Sequence, residues 1–429
     1  MSSEFKISLR SAIIINLNIM LGTGIFLNSI PLAQYAAAAC FLPYIITGIL
    51  FIPLIISMAT LLSYENGGGT FYDISKNQLG QLFGFISCWS YFIAKPASAG
   101  LMIHFFNYLM QQLFPVLQHY SIYGRDLFII GLFAILNLLN MQIGRSIQFA
   151  FVNIKIIPIF FIIIAGIWYF HPLNFALSNF NFSGIPIGLP LALFACSGFE
   201  ASLSLSQHIK DAQKNAPKAI IISYAIAIFI YIFYQISYFA AINISMLSQI
   251  TSFNAISFFI FSIFKQNHAT LQALLYICMC ISALGGAYGI IFSNTWNLHR
   301  LAQNNHTFLS KRLLTKNHSG IAFWCLFAEI ILCTAYILFT QGNQITMQYI
   351  SVFGSTIAYT ISVVAFTALA FKVIKSKWSH FIACLAIINC GIFLTACING
   401  FIHHGPTALY VFIGMLAAGL MMFALTKKI

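Results

Sequence analysis

The chain of 429 residues is 60% hydrophobic and 6% charged, and it carries a formal net charge of +13. Soluble domains typically contain about 25% charged residues, so this composition excludes a soluble globular protein and predicts one embedded in a lipid bilayer. No stretch is polar enough to form a separate soluble domain. We therefore expect 1–429 to form a single transmembrane domain.

Long apolar runs recur along the whole chain, and about 20 apolar residues suffice to cross a bilayer as a helix. The sequence predicts an all-α integral membrane protein with twelve transmembrane helices. The predicted spans are 11–34, 37–62, 84–113, 126–141, 147–170, 185–206, 219–243, 271–299, 320–340, 347–371, 380–399 and 407–426.

The basic residues are distributed unevenly between the two sides of these spans. Of the 20 Lys and Arg residues, Lys95 and Lys155 lie within spans, Arg125 and Lys265 lie on one side, and all others lie on the opposite side. Cytoplasmic loops of membrane proteins are enriched in Lys and Arg. We expect a multi-pass protein of a bacterial inner (plasma) membrane with both termini cytoplasmic, and no nucleic-acid partner.

Two predicted spans are interrupted near their centres. Gly22 and Gly24 weaken the first span, because each glycine costs roughly 1 kcal/mol of helix propensity relative to alanine. Residues 196–200 interrupt the sixth span and include Glu200, which costs roughly 2.5–3.5 kcal/mol at membrane depth. Paired breaks of this kind in two halves of a chain point to the binding site of a membrane transporter.

The spacing of the breaks suggests two five-span units related as inverted repeats. Repeat one would cover residues 11–170 and repeat two 185–371, with two extra helices over 380–426. Taken alone, the small residues at 22–24 would also suit close packing of helices. The second break favours the binding role.

Other kinds of site find little support in the sequence. The glycines at 67–69, in a segment interpreted as the loop 64–83, lack the lysine and preceding strand of a phosphate-binding loop. The ten cysteines are scattered and are interpreted as small buried apolar residues, so we expect no metal and no cofactor. The chain contains no HExxH or GxSxG motif, which argues against an enzyme.

Four motifs occur in the order seen in one known family. Together they resemble the amino acid–polyamine–organocation (APC) superfamily of permeases. The motifs are Gly22-Thr23-Gly24-Ile25-Phe26, Asn66–Phe71 with Gly84-Phe85 and Trp89, Asn140 to Pro158 with Gly144, Gln148 and Lys155, and Phe194–Glu200 followed by Lys214–Ile220. The family usually has Asn-Pro where this chain has Asn215-Ala216-Pro217.

The resemblance implies a LeuT-type 5+5 inverted repeat with discontinuous helices 1 and 6, and a small amino acid or related amine as substrate. It places backbone amides near Thr23 and Gly24 against the substrate carboxylate, and Phe194 as an aromatic lid. Carbonyls of the breaks would receive the amino group. The implied substrate-binding residues are Met20, Gly22, Thr23, Gly24, Phe194, Ala195, Cys196, Ser197 and Gly198. Ala287 stands where arginine-exchanging relatives carry Trp, which argues against arginine or agmatine.

Three charged residues within spans are candidates for coupling or gating. Lys155 matches the place where a lysine substitutes for a coupling sodium ion in proton-coupled relatives, although a structural or interfacial role is the alternative. Glu200 either serves proton coupling or gating, or is a buried partner of a lysine or of free amides. Lys95 either pairs with Glu200 or lines the pore. Glu329 is interpreted as structural or interfacial.

These features predict a secondary active transporter that moves a small amino acid by alternating access, coupled to protons. One alternative is an amino acid or amine antiporter without net proton movement. A transport-inactive membrane sensor is less favoured, because a sensor usually adds a soluble output domain. The expected partners are the small-molecule substrate, protons and the lipid bilayer.

Overall fold

A computed structural model describes residues 6–65, 69–266 and 268–426, and the described part is helical without a strand. Residues 66–68 of the glycine-rich loop lie outside these ranges. The helices are α1 Leu9–Met20, α2 Gly24–Leu27, α3 Ser29–Ala36, α4 Leu42–Tyr64, α5 Phe71–Leu79, α6 Gln81–Leu113, α7 Ile122–Asn137, α8 Met141–Trp168, α9 Ile185–Cys196, α10 Ala201–Ser204, α11 Ala212–Ala241, α12 Ala255–Phe264, α13 Ala269–Gln303, α14 Ser310–Leu313, α15 Phe323–Thr340, α16 Gln344–Leu369, α17 Lys377–His404 and α18 Thr407–Thr426.

The described helices fit a multi-pass membrane protein. Within the described ranges, ten helical segments are long and apolar enough to cross a bilayer. The outward faces of several helices are apolar: Phe128 is 72% exposed, Phe339 78% and Trp168 83%. Such faces would aggregate in water and are suited to lipid. The chain is therefore an integral membrane protein.

Two further helices coincide with predicted spans without belonging to those ten. Helix α6 matches the third span and has 33 residues, whereas α7 matches the fourth and has only 16. The total of twelve spans thus remains a prediction. Helix α8 begins six residues before its predicted start of 147, because the side chain of Asn140 caps it by accepting a hydrogen bond from the amide of Ile143 at 2.9 Å.

The segment interpreted as the loop 64–83 contains a helix, α5, so that interpretation was wrong in part. A capping box forms its start: Asp73 accepts hydrogen bonds from the amide and hydroxyl of Thr70, both at 2.9 Å. Such a reciprocal cap satisfies amides that a helix start otherwise leaves unpaired. Asp73 also forms an ion pair with Arg300 at 2.6 Å, which joins α5 to the end of α13.

The centre of the bundle surrounds the two interrupted helices. Helix α6 packs against α13 and α16, while α1 packs against α8, α11 and α13. Small residues allow some of these contacts, as expected where lipid removes much of the hydrophobic drive for helix association. At Gly166, for example, an added Cβ would lie 2.1 Å from the carbonyl oxygen of Ser237. Helices α8 and α11, which both pack against α1, are therefore also closely packed against each other.

Candidate functional site

The first break is a real interruption of the helix. Helix α1 ends at Met20, and its last backbone bond runs from the amide of Leu21 to the carbonyl of Leu17 at 2.9 Å. Helix α2 begins at Gly24. Within the described part of the chain, the amides of Gly22, Thr23 and Gly24 have no hydrogen-bond acceptor. Buried amides require a hydrogen-bond partner. These three amides are therefore available to bind an acceptor such as a carboxylate.

The second break faces the first. Helix α9 ends at Cys196 and α10 begins at Ala201. Between them, Gly198 has a φ of 125°, a conformation that favours glycine. A Cβ at Gly198 would lie 3.0 Å from the amide nitrogen of Met20, and one at Gly24 would lie 2.9 Å from the Cα of Ala195. Glycine thus brings the two interruptions into direct contact.

A tyrosine that the sequence reasoning missed joins the two breaks. The hydroxyl of Tyr231, on α11, lies 2.6 Å from the carbonyl oxygen of Met20 and 2.8 Å from that of Ala195. A hydroxyl has one proton, so it can donate to only one of these carbonyls at a time. The sequence feature that could have drawn attention to Tyr231 is a row of tyrosines spaced seven residues apart on α11, namely Tyr224, Tyr231 and Tyr238.

Other carbonyls of the breaks also carry protein donors. The carbonyl of Phe194 accepts hydrogen bonds from the amide of Ser197 at 3.3 Å and from its hydroxyl at 2.9 Å. The hydroxyl of Ser282 donates to the carbonyl of Leu21 at 3.0 Å. The Phe194 side chain and Cys196 are buried beside these groups. In this conformation the protein itself occupies several of the acceptors that the sequence assigned to the substrate amino group.

Lys155 reaches the first interrupted helix from α8. Its ammonium donates to the carbonyl of Asn18 at 2.6 Å and lies 3.5 Å from the carbonyl of Ser282 on α13, and the side chain is fully buried. The side chain of Asn18 is fixed in turn, because its amide group donates hydrogen bonds to the side chain of Gln148 and, at 2.7 Å, to the carbonyl of Gly285. Lys155 therefore ties α8 to α1 and α13 one turn before the break.

Lys95 and Glu200 form a buried ion pair beside the second break. The ammonium of Lys95 lies 2.8 Å from Oε1 of Glu200, and the two side chains are 2% and 0% exposed. Tyr91 donates to the same oxygen at 2.9 Å, and the amide of Gly198 donates to Oε2 at 2.7 Å. The structure thus shows the pairing that was one of the alternatives for both residues, and it adds a free amide of the break.

Glu329 lies apart from these groups, between α15 and α13, where Asn294 and Thr295 contact its carboxyl group. Outside the membrane-spanning segments, burial together with nearby Lys316 and Lys6 lowers the pKa of His208 to about 3, so this imidazole is neutral at physiological pH. In the described part of the chain, no three His, Cys, Asp or Glu residues cluster in a way that could hold a metal ion.

Comparison with known proteins places this chain in a family. A family model described as "Amino acid permease" matches residues 7–425. The APC resemblance predicted from the four motifs is therefore confirmed. The proteins of this family and the curated relatives are transporters and not enzymes.

Several curated transporters are similar to this chain at low identity. A D-serine/D-alanine/glycine transporter of Escherichia coli (strain CFT073) is 25% identical over 216 residues, which is 47% of this chain and 45% of that protein. The serine/threonine exchanger SteT of Bacillus subtilis (strain 168) is 26% identical over 242 residues, 53% of each. The aromatic amino acid transport protein AroP of Escherichia coli (strain CFT073) is 24% identical over 212 residues, 46% of each. The matches span about half the length of these relatives.

Proposed function

The chain belongs to the amino acid permease family, and on that premise we propose that it is a secondary active transporter of a small amino acid, coupled to protons. The observation that carries the proposal is the contact between two interrupted helices, one of which presents buried amides without acceptors. We propose a location in a bacterial inner membrane, as the bacterial relatives suggest, with both termini cytoplasmic.

The breaks suit the two charged ends of an amino acid. The free amides of Gly22, Thr23 and Gly24 favour a carboxylate, and the carbonyls of Met20 and Ala195 favour an ammonium. An ammonium arriving between those carbonyls would displace the single hydroxyl proton of Tyr231, which satisfies them only in part. The named substrates of the relatives have different side chains but share this carboxylate and amino group.

The close contacts at the breaks favour a small substrate. Beyond the contact between Gly24 and Ala195, a Cβ at Gly22 would lie 2.7 Å from Cε of Met102, and one at Gly286 would lie 2.6 Å from Sδ of Met102. On the side of the second break, the proposed substrate site is completed by Phe194, Cys196, Ser197 and Gly198. These close approaches between helices are the observation that favours a short substrate side chain.

Alternating access is proposed on a LeuT-type arrangement of twelve helices, with repeats over 11–170 and 185–371 and extra helices over 380–426. The interrupted helices would open first toward one side and then toward the other. Three buried charged residues, Lys155, Lys95 and Glu200, contact the interrupted helices that would move. Lys155 holds the inner half of helix 1 through Asn18, and the Lys95–Glu200 pair holds the second break through Gly198.

Lys155 is the proposed coupling group. Its ammonium occupies a place between the carbonyls of Asn18 and Ser282 where a cation is stabilised by carbonyl dipoles. Loss of its proton would weaken the bond to Asn18, because hydrogen bonds to charged groups are roughly twice as strong as neutral ones. Deprotonation would thereby loosen α1 from α8 and permit movement.

Uptake into proteoliposomes tests the proposal. With purified protein and labelled serine, threonine, alanine or glycine, we expect accumulation when the outside is more acidic, and less when a protonophore removes the gradient. Exchange that ignores the gradient would instead indicate an antiporter without net proton movement. Absence of flux and of thermal stabilisation for every amino acid and amine, with folded protein, would contradict the proposal and favour a transport-inactive sensor.

A further inference from the structure

Glu329 is a second buried carboxyl group, and its surroundings differ from those of Glu200. The side chain is 0% exposed. Its Oε1 accepts a hydrogen bond from the amide of Asn294 at 3.1 Å, and its Oε2 lies 2.9 Å from the hydroxyl of Thr295. Both contacts come from α13, the helix that also carries Ser282 and Gly285 beside the first break.

In the described part of the chain, no Lys, Arg or His forms an ion pair with Glu329, so a negative charge on this carboxyl group would not be neutralised. The ion pairs there join Lys95 to Glu200, His104 to Asp126 and Arg300 to Asp73. Among the titratable groups that interact electrostatically with Glu329 are Tyr91 of α6 and, on α15 itself, Cys325 and Cys333.

The other helices that pack against α15 place no unpaired charged side chain beside Glu329. On α14, Lys311 and Arg312 are exposed to the surface. On α7 the charged residues Arg125 and Asp126 lie at the start of the helix and bond to α6. Helix α16 carries no Asp, Glu, Lys or Arg, and on α13 Arg300 is engaged by Asp73. An isolated buried carboxylate is costly and ordinarily becomes neutral by taking up a proton.

The hydrogen-bond geometry accommodates that proton. The hydroxyl of Thr295 lies 2.9 Å from the carbonyl of Ile291 as well as from Oε2 of Glu329. With its one proton directed at Ile291, the oxygen of Thr295 is free to accept a proton carried by Oε2. With that proton rotated toward Oε2, the same atoms solvate a carboxylate. Both protonation states can therefore be hydrogen-bonded without moving a heavy atom.

A chain of amides connects this carboxyl group to the second interrupted helix. Asn294 donates to Glu329 and to the carbonyl of Phe92, and its own oxygen accepts from Asn297 at 3.1 Å. Asn297 donates its other proton to the hydroxyl of Ser204 at 2.9 Å. Ser204 is the last residue of α10, four positions after Glu200. A negative charge on Glu329 would strengthen the hydrogen bond that Asn294 donates to it. The hydrogen bonds from Asn297 to Asn294 and to Ser204 of α10 would change in turn.

We propose that Glu329 is a proton-binding site separate from Lys155, neutral in the conformation described and linked to the second half of interrupted helix 6 through Asn294, Asn297 and Ser204. The role of Glu329 in transport rests on the proposed function, whereas the protonation of Glu329 does not. Proton uptake and release at Glu329 would bias the position of α10 during the transport cycle.

Infrared spectroscopy of the purified, reconstituted protein tests the protonation directly. The chain has only seven Asp and Glu residues, so the carbonyl stretch of a protonated carboxylic acid can be assigned by substitution. We expect this band at neutral pH in the wild type, its loss in Glu329→Gln, and its retention in Glu200→Gln. Absence of the band from the wild type, or its persistence in Glu329→Gln, would overturn the proposal.

A second variant keeps the carboxyl group and removes only its partner. Thr295→Val deletes the hydroxyl that accepts the proton, so we expect the acid band to shift in frequency and its titration to move to a different pH. Ser293→Ala is the matched control, because that hydroxyl bonds to Gly289 and Ile290 within α13. A band that is identical in Thr295→Val and the wild type would contradict the assigned geometry even if Glu329→Gln failed to fold.

Flux measurements separate this inference from the proposed function. Exchange of labelled for unlabelled amino acid without a pH gradient should persist in Glu329→Gln, while accumulation driven by the gradient should fall by about tenfold, within the usual range of coupling between sites. Equal accumulation in variant and wild type would overturn the coupling role. Failure of the wild type to exchange any amino acid would overturn the proposed function, whereas the infrared band would still decide the state of Glu329.

Discussion

Among the residues that the structure describes, two lysines are buried in the interior of the protein, and they are stabilised in different ways. Lys95 faces a carboxylate at 2.8 Å, whereas Lys155 faces backbone carbonyls, the nearer one at 2.6 Å. If either Lys95 or Glu200 lost its charge, the charge of the other would remain buried without a partner of opposite sign. A neutral Lys155 amine could still donate a hydrogen bond to Asn18. The structure shows an ion pair at the second break, and we propose that the charge of Lys155, beside the first break, is the one that can be lost.

The largest expected effect comes from breaking the fixed pair. Lys95→Met leaves Glu200 buried without a cation, and the free energy of unfolding should fall by about 3–5 kcal/mol, as for other buried pairs that lose one partner. Thermal unfolding in detergent measures the change.

The double variant Lys95→Met with Glu200→Gln is the control for this prediction. It removes both charges, so most of the lost stability should return. If Lys95→Met alone were as stable as the wild type, the ion pair would not hold the second break.

The next effect concerns Lys155. Lys155→Met removes a charged hydrogen bond of about 1.5–3 kcal/mol, so accumulation driven by a pH gradient should fall about ten- to a hundredfold. Exchange without a gradient should be reduced less. Proton-driven uptake that is unchanged in Lys155→Met would show that this lysine is structural and would remove the functional contrast with Lys95.

A smaller effect should follow from strain at the second break alone. Gly198→Ala places a Cβ 2.8 Å from Cγ2 of Ile19 in an unfavourable backbone conformation, at a cost of about 1–3 kcal/mol. Gly414→Ala is the matched control, because its Cβ would have no neighbour within 4 Å. Equal thermal stability of the two variants would indicate that the breaks are not in close contact.

The smallest effect should come from Tyr231→Phe, which removes the hydroxyl between the two breaks. The empty protein should lose about 1 kcal/mol of stability. The thermal stabilisation produced by a bound amino acid should increase, because the ammonium then meets carbonyls without another donor. An equal loss with and without substrate would show that the hydroxyl and the ammonium do not compete.

The interruptions were predictable because they are local features of the sequence. Gly22 and Gly24 weaken a helix regardless of what surrounds them, and so do Gly198 and the charged Glu200 within the segment 196–200. The Lys95–Glu200 pair could only be named as an alternative, because its partners lie 105 positions apart. The contacts of Tyr231 and Glu329 depend on how distant helices meet, and a single sequence contains no direct record of such pairing. Helix α5 was missed although its capping pattern, Thr70 followed by Asp73, was visible.

Exchange of labelled serine, threonine, alanine or glycine across liposomes tests most directly whether the two breaks form one amino acid site. Gly24→Ala would place a Cβ 2.9 Å from the Cα of Ala195 and push the breaks apart, whereas Gly414→Ala adds a methyl group in open space. The account predicts saturable exchange by the wild type and by Gly414→Ala, and its loss in Gly24→Ala that remains folded. Equal exchange by all three proteins would contradict it.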